Sequence, residues 1–351
     1  MKVKTYGAAR ACALGLCAIL VAAHQASAAR QQQRQQTAQA QQQPKVSSDA
    51  ELKAAQAVES AADAAAALAA AGEFVKKFPK SELRLEVARI AADKIAKAPD
   101  AAQRVALSES FLKTFDAPAE ANVINSDLAL AYVSAKRLDD AFRVADAAAV
   151  AAFERPVGML VTLTMTGAEE LQKGNTKYRD QSRQLGLKAV EIFEAGAPPA
   201  GTDAAAWAEY KSKWLPQVYH SLAVMSYVSG DKADARARLE KAAALGTTEA
   251  LTYYLLGRIA DEEYQGLAKQ HRGATGAAQT ELHKQALSRM DQAIDAYAHA
   301  IALAEGDARY EKLRAGLRPV LEDYYKFRNN NSTDGLQALI DKYKKPAAAR
   351  P

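Results

Sequence analysis

Four histidines follow residue 28, and histidine is the side chain that most often transfers protons or binds metal ions near neutral pH. They are His220, His271, His283 and His299. None belongs to an HExxH pair, and none stands at ligand spacing from a group of carboxylates, so we predict no metal site. His271 and His283 lie on opposite arms of a long predicted hairpin and could approach each other, but solvated helix histidines are the favoured interpretation.

Two groups of acidic residues have side chains suited to metal binding or proton transfer, Glu169-Glu170 and Asp261-Glu262-Glu263. Neighbouring residues of a helix point in different directions, so we interpret both groups as solvated surface. The sequence contains no GxSxG motif, no phosphate-binding GxxxxGK(S/T) loop and no dinucleotide-binding fingerprint. We therefore predict no catalytic residue, no cofactor and no enzymatic activity.

Residues 1–28 have the pattern of a secretory signal peptide. Lys2, Lys4 and Arg10 precede an apolar run over residues 11–23, and three small residues then fit a cleavage site. The apolar run is shorter than the about 20 residues that span a bilayer. No later segment is long and apolar enough to do so, and we predict no transmembrane segment in the mature chain.

Cleavage after Ala28 places the mature chain in the periplasm or outside the cell. Lipidation of Cys17 is the alternative, although Leu16 precedes it where a lipidated cysteine has a small residue. Both cysteines, Cys12 and Cys17, lie inside the leader. The mature chain is therefore expected to have neither a disulfide nor thiol chemistry.

The charge of the chain gives little reason to expect a strongly charged partner. The formal net charge is +5, and it falls to +2 once the three basic residues of the leader are removed. We therefore predict binding to neither nucleic acid nor an anionic membrane. Residues 29–48 are interpreted as a disordered Gln-rich linker, because nine of the thirteen residues from 31 to 43 are glutamine. Residues 346–351 are interpreted as a disordered tail.

Between these ends the sequence predicts an all-α protein. Apolar residues recur at intervals of three and four, and no segment has the alternation typical of a strand. The chain also repeats itself: Phe74 and Phe78 fall on Phe111 and Phe115 after a shift of 37 residues. A period in the thirties within a helical chain predicts stacked helix hairpins.

The clearest hairpin lies between residues 219 and 246. Its first helix contains the pair Leu222-Ala223, and Gly230-Asp231 makes the turn. Its second helix has one face at i, i+4 and i+7, formed by Ala235, Leu239 and Ala242. The two alanines let the helices approach closely while Leu239 fills the space between them. Lys241 lies off this face and is expected to point to solvent.

The same arrangement recurs 34 residues later, where Leu256-Gly257 takes the place of Leu222-Ala223. The second helix of this unit has the same spacing in Ala293, Tyr297 and Ala300. This pattern resembles the tetratricopeptide repeat, in which an aromatic residue, a Leu-Gly pair and small residues recur at fixed spacings in an antiparallel helix pair.

The resemblance implies a TPR-like α-solenoid over residues 49–306, followed by capping helices over residues 307–345 with a polar outer face. We expect about five antiparallel hairpins, preceded by one helix from Asp49 to Lys77. Two hairpins are expected to be lengthened, with tips at Gly174-Asn175 and at Gly273 to Gly276.

The resemblance also implies a binding groove, because the first helices of stacked hairpins line a concave surface. The groove residues carried over by similarity are Gln217, His220, Val224, Tyr227, Leu251, Tyr254, Arg258 and Asp261. Tyrosine is enriched at binding hot spots, and Arg258 could pair with a carboxylate. Packing of Tyr227 and Tyr254 between neighbouring hairpins is the alternative. Members of the family that clamp a chaperone-type C-terminal carboxylate carry Lys and Asn where His220 and Val224 stand, which argues against that ligand.

The sequence thus predicts a non-enzymatic exported scaffold that binds a protein or peptide, and no feature indicates an oligomeric state. The segment FVKKFPKSE at residues 74–82 is similar to periplasmic repeat proteins of envelope-assembly machinery. A component of outer-membrane assembly is therefore one alternative function. A helical-repeat solute-binding protein or enzyme is another, and it requires polar groups that converge in a closed pocket.

Overall fold

The computed structural model describes residues 48–146, 150–199 and 201–344, which are helical and contain no strand. The prediction of an all-α protein is confirmed for these residues. The helices of the first half are α1 (Asp49–Glu59), α2 (Ala64–Lys77), α3 (Arg84–Ala96), α4 (Ala101–Thr114), α5 (Pro118–Ser134), α6 (Leu138–Val144) and α7 (Val157–Gln172). The helices of the second half are α8 (Arg179–Glu194), α9 (Ala204–Val228), α10 (Lys232–Ala244), α11 (Ala250–Gly273), α12 (Gly276–Ala304), α13 (Glu311–Arg328) and α14 (Leu336–Asp341).

Two short 3-10 helices complete the regular structure at Val150–Ala152 and Ala308–Tyr310. The signal peptide, nearly all of the Gln-rich linker and the C-terminal tail that the sequence predicts lie outside the described residues. Among the residues described, none of the helices combines the length and the apolar character needed to cross a membrane.

The described residues form two compact units, and the first comprises residues 48–97 together with 113–116. Helices α1, α2 and α3 pack on one another in this unit. Along α2, Ala67, Ala71 and Phe74 are completely buried. Their spacing of four and three residues places them on one face of the helix, where the small alanines allow close packing.

Helices α1 and α2 replace the single helix that the sequence predicts from Asp49 to Lys77, and that prediction is wrong at its middle. The side chain of Asp63 accepts a hydrogen bond of 2.8 Å from the backbone N–H of Ala66 and so caps a new helix. Aspartate is among the strongest N-cap residues, so a new helix begins after Asp63 instead of one helix continuing through it. Helix α2 then ends at Lys77, as expected from the proline that follows at position 79.

The second unit comprises residues 98–112 and those from 117 onward. Its consecutive helices pack in pairs: α5 with α6, α7 with α8, α9 with α10, and α11 with α12. The fully buried side chains of the largest core come from several pairs and include Leu128, Leu160, Leu185, Phe193 and Leu222. A second core joins α12 to α13 and α14. Helices α3 and α4 belong mainly to different units.

Gly230 makes the turn between α9 and α10 as the sequence predicts. It has a φ of +85°, in the left-handed region that glycine adopts without a steric penalty. The N–H of Asp231 donates to the carbonyl of Ser226 at 2.9 Å, which closes the end of α9. The side chain of Asp231 then accepts from the N–H of Asp234 at 3.0 Å and caps α10.

The hairpin formed by α11 and α12 is lengthened, with helices of 24 and 29 residues. Its tip lies at Gly273 and Gly276, as predicted. The turn at Gly174-Asn175 also joins two helices, but α7 and α8 have only 16 residues each. The long helix of that region is α9, with 25 residues, because Asp203 caps it 25 residues before Val228.

Close approach of α11 to α12 depends on Gly257. A Cβ atom at this position would lie 2.4 Å from the ring carbons Cδ1 and Cε1 of Tyr297, which is 1% exposed. In the preceding hairpin Ala223 and Leu239 occupy the corresponding positions, and both are completely buried. The two hairpins thus fill the same space in different ways, with a glycine opposite a large ring or an alanine opposite a smaller side chain.

Helices α13 and α14 close the chain in the region predicted to hold capping helices. The hydroxyl of Tyr325 donates to the backbone carbonyl of Asp334 at 2.8 Å, which ties the end of α13 to the segment before α14. Two apolar side chains of α13 are exposed, Val320 and Phe327, the latter at 64%.

Candidate partner-binding site

The predicted groove residues lie on α9 and α11, but two of them are buried. His220 is 7% exposed, and its Nδ1 lies 3.0 Å from the hydroxyl of Thr252. Val224 is 4% exposed and packs with Leu171 of α7. Helix α9 contacts α7, α8 and α10, so little of its circumference remains open. His220 and Val224 therefore lie in the interior of the protein and not in the groove that the sequence predicts.

Four other predicted groove residues are half-buried. Tyr227 lies near the end of α9, and Tyr254, Arg258 and Asp261 lie along the first half of α11. The remaining two, Gln217 and Leu251, are also half-buried. They lie farther back along their helices, nearly three turns from Tyr227 and two turns from Arg258 respectively.

Glu262 joins α9, α10 and α11 at this surface. Its Oε1 accepts a 2.7 Å hydrogen bond from the hydroxyl of Tyr227 and lies 3.4 Å from Nη2 of Arg258. Its Oε2 pairs with Lys232. Burial raises the pKa of Glu262, but the hydrogen bonds from Lys232 and Tyr227 outweigh it and hold the pKa below its usual range. Glu262 is therefore an anion at neutral pH.

Asp261 makes the corresponding link from α11 to α12 and α13. Its Oδ1 accepts a hydrogen bond from the hydroxyl of Tyr324, and its Oδ2 lies 3.4 Å from the hydroxyl of Tyr297. The ring of Tyr264 stands edge-on to that of Tyr324, with centroids 5.6 Å apart. Burial and the Asp261 carboxylate both raise the pKa of Tyr324, which therefore remains a neutral donor.

We call this surface the tyrosine strip. It comprises four predicted groove positions, Tyr227, Tyr254, Arg258 and Asp261, and three further residues from the contacts described above, Glu262, Tyr264 and Tyr324. It runs over α9, α11 and α13. The side chain of Arg258 is 43% exposed, which leaves part of its guanidinium open to solvent. A guanidinium has five N–H donors in a planar fork that matches a carboxylate.

Sequence reasoning missed the roles of Glu262 and Tyr324. It assigned Asp261, Glu262 and Glu263 to solvated surface because neighbours on a helix diverge. They do diverge, but each meets a different partner. Glu263 pairs with Arg236 at 2.8 Å and with Arg289 at 2.9 Å. An acidic run on a helix that lies between other helices was the available signal, since each carboxylate can then find a neighbour.

Two of the four histidines are shielded from solvent. His220 is buried, as described above, and His299 is half-buried between two tyrosine rings. The ring centroids of Tyr253 and Tyr343 lie 3.5 Å and 4.2 Å from that of His299. Burial lowers the pKa of His299 to about 4, an effect that Lys342 reinforces and Asp295 opposes.

We expect the His299→Phe variant to lose part of the pH dependence of folding. His299 is neutral in the folded protein down to about pH 4, whereas an unfolded histidine takes up its proton near pH 6.5. The unfolded state therefore binds more protons between these values, and stability falls as pH falls from about 6.5 to about 4. Phenylalanine keeps the ring stack without a titrating group, so its curve should be flatter.

Urea unfolding at pH 7, 5.5 and 4.5 measures this effect as the difference between variant and parent at each pH. The variant Gln270→Ala is the control, because Gln270 is exposed and has no titrating group, so this variant should leave the slope unchanged. Parallel curves for His299→Phe and the parent would contradict the assignment.

In the part of the chain that the structure describes, no three or more His, Cys, Asp or Glu side chains come together as a metal site. No protein-family profile matches the chain. No curated protein matches it either.

Proposed function

We propose that the chain is an exported, non-enzymatic scaffold of TPR-like helix hairpins that binds a protein or peptide along the tyrosine strip. One observation carries the proposal: carboxylates of α11 accept hydrogen bonds from Tyr227 of α9 and Tyr324 of α13, and Arg258 on the same helix keeps 43% of its side chain exposed. These three helices alternate along the chain with α10 and α12, which is the order expected of the first helices in stacked hairpins.

The residue types of the strip favour a macromolecular partner. Tyrosine and arginine are the residues in which binding energy at protein interfaces is concentrated, because they combine a large contact area with polar atoms. The hydrogen bonds of Tyr227 and Tyr324 to carboxylates fix these side chains before any partner arrives. Such preorganisation reduces the entropy lost on binding.

The charges of the strip favour a partner segment with at least one carboxylate. Asp261 and Glu262 are already engaged by tyrosine hydroxyls and by Lys232. The Nη2 of Arg258 lies 3.4 Å from Oε1 of Glu262, a carboxylate that Tyr227 and Lys232 also contact. The side chain of Arg258 remains 43% exposed. An acidic side chain of the partner placed between Tyr254 and Arg258 would therefore find an incompletely satisfied cation.

We expect Tyr254→Ala and Arg258→Gln each to weaken partner binding by about tenfold or more, which corresponds to about 1.4 kcal/mol. Partners are first captured from envelope extracts with the mature chain and identified. Their affinities are then measured by calorimetry with the parent and each variant. The identity of the partner also decides between a general scaffold and a component of outer-membrane assembly.

The controls separate binding from folding. Glu240→Ala removes an exposed charge of α10 outside the strip and should leave affinity unchanged. Arg258→Lys keeps the charge but loses the planar fork, so it should bind with an intermediate affinity. Equal affinity of the parent and the double variant Tyr227→Ala/Tyr254→Ala, with both folded by circular dichroism, would exclude the strip as the binding surface.

A further inference from the structure

His271 and His283 meet near the tip of the hairpin formed by α11 and α12. Their ring centroids lie 5.2 Å apart, with an angle of 40° between the ring planes. His271 is half-buried and His283 is exposed, so ions in solution can reach the pair. The sequence predicted no metal site because neither histidine has a second ligand at helical spacing. The packing of α11 against α12 instead brings the imidazole of one helix next to that of the other.

The meeting of the two rings follows from the register of the hairpin. Gly257 and Tyr297 face each other in close contact across the two helices. His271 lies fourteen residues after Gly257, and His283 lies fourteen residues before Tyr297. Fourteen residues make about four helical turns, so both histidines return to the side that each helix turns toward the other. The pair therefore belongs to the seam between the helices.

The separation of the rings suits a shared metal ion. A zinc ion lies about 2.0–2.1 Å from an imidazole nitrogen and prefers tetrahedral angles, so two imidazoles on one zinc have centroids about 5 Å apart. The observed 5.2 Å agrees with this geometry. Neutral imidazole is a preferred ligand of zinc, copper and nickel, whereas magnesium prefers oxygen ligands.

We propose that His271 and His283 form a two-histidine clamp for one divalent transition-metal ion of the zinc, nickel or copper type. Water completes the coordination, and the bound ion joins the tips of α11 and α12. Lys269, Arg272 and Lys284 are close in sequence and repel a cation, while Glu281 attracts it. The site is consequently weaker than a structural zinc site with four protein ligands.

Calorimetric titration of the mature chain, prepared without a polyhistidine tag, with ZnCl2 and separately with NiCl2 tests the clamp. We expect one ion per chain and a rise in melting temperature with metal concentration, because the ion binds only the folded hairpin. MgCl2 should give neither effect. His271→Gln and His283→Gln should each lower zinc affinity at least about tenfold, since loss of even an outer-shell partner costs 10–100-fold.

Gln270→Ala is the matched control, because Gln270 is exposed and adjacent to the site. It should bind zinc like the parent. The imidazole resonances of His271 and His283 should shift together on addition of one equivalent. The proposal is overturned if zinc binds the double variant His271→Gln/His283→Gln as tightly as the parent, if either single variant keeps the parental affinity, or if the parent binds no zinc.

Discussion

The Gly257→Ala variant is expected to be less stable than the parent by about 2 kcal/mol, although alanine is the better helix former. The added Cβ would stand 2.4 Å from two ring carbons of Tyr297. That ring is buried in the core shared by α12, α13 and α14 and cannot move away freely. Overpacking costs about 1–3 kcal/mol. A 2.4 Å contact with a ring that cannot move away belongs at the upper end of that range, and helix propensity returns about 1 kcal/mol of it, which leaves a net loss of about 2 kcal/mol.

Gly266→Ala is the matched control within the same helix. A Cβ atom at Gly266 would meet nothing within 4 Å. Only the helix propensity then changes, so this variant should be more stable than the parent by up to about 1 kcal/mol. The two glycine variants are thus expected to shift the free energy of unfolding in opposite directions. Urea unfolding followed by circular dichroism measures both.

A second substitution tests the cause of the first effect. Together with Gly257→Ala, the substitution Tyr297→Leu creates the pairing of alanine and leucine that Ala223 and Leu239 make in the preceding hairpin. The double variant Gly257→Ala/Tyr297→Leu should therefore cost less than the two single variants together, by at least about 1 kcal/mol. Simple additivity would show that the two positions do not share the space between α11 and α12.

The fit between Gly257 and Tyr297 also shows which parts of the fold the sequence could predict. The spacing of Leu256-Gly257 and of Ala293, Tyr297 and Ala300 predicts that both residues lie on facing sides of their helices. The sequence also predicts turns at Gly230 and Gly276, and both glycines have a positive φ, which few other residues adopt easily. The repeat spacing and the turn glycines therefore suffice to predict these features from the sequence.

The candidate site was less predictable, because its geometry depends on contacts between helices that are far apart in sequence. The distance along the chain from Asp261 to Tyr324 is 63 residues. No periodic pattern connects them. His220 was assigned to the groove by its register alone, but the packing of α7, α8 and α10 around α9 buries it. Register gives the face of a helix, while the neighbours decide whether that face is open.

The break between α1 and α2 is a second feature that the sequence pattern does not predict. Alanine-rich sequence on both sides of residues 60–63 favours a continuous helix, and helix propensity predicts one. The capping hydrogen bond of Asp63 and the burial of Val58 and Ala67 on separate helices favour two. A cap contributes about 1 kcal/mol and the packing of two apolar faces contributes more, so tertiary structure overrides the local preference.

The Leu239→Ala variant is expected to lose about 2–5 kcal/mol of stability. Leu239 is completely buried and packs against Ala223, Ala235 and Ile259, which come from α9, α10 and α11. Two of these neighbours are alanines, whose side chains are too short to move into the space that the leucine leaves. The cost of such a truncation rises with the volume of the remaining cavity, so we expect the middle or upper part of the range.

Lys241→Ala, two residues away on the same helix, is the control. The side chain of Lys241 is 59% exposed, and its Nζ lies 3.2 Å from the hydroxyl of Tyr219 and 3.9 Å from Glu194. Contacts of exposed charges are worth at most about 1 kcal/mol, and alanine is a strong helix former. This variant should therefore stay within about 0.5 kcal/mol of the parent. Similar losses for Leu239→Ala and Lys241→Ala in urea unfolding would mean that α10 turns a different face toward α9, and the register that places the tyrosine strip would have to be assigned anew.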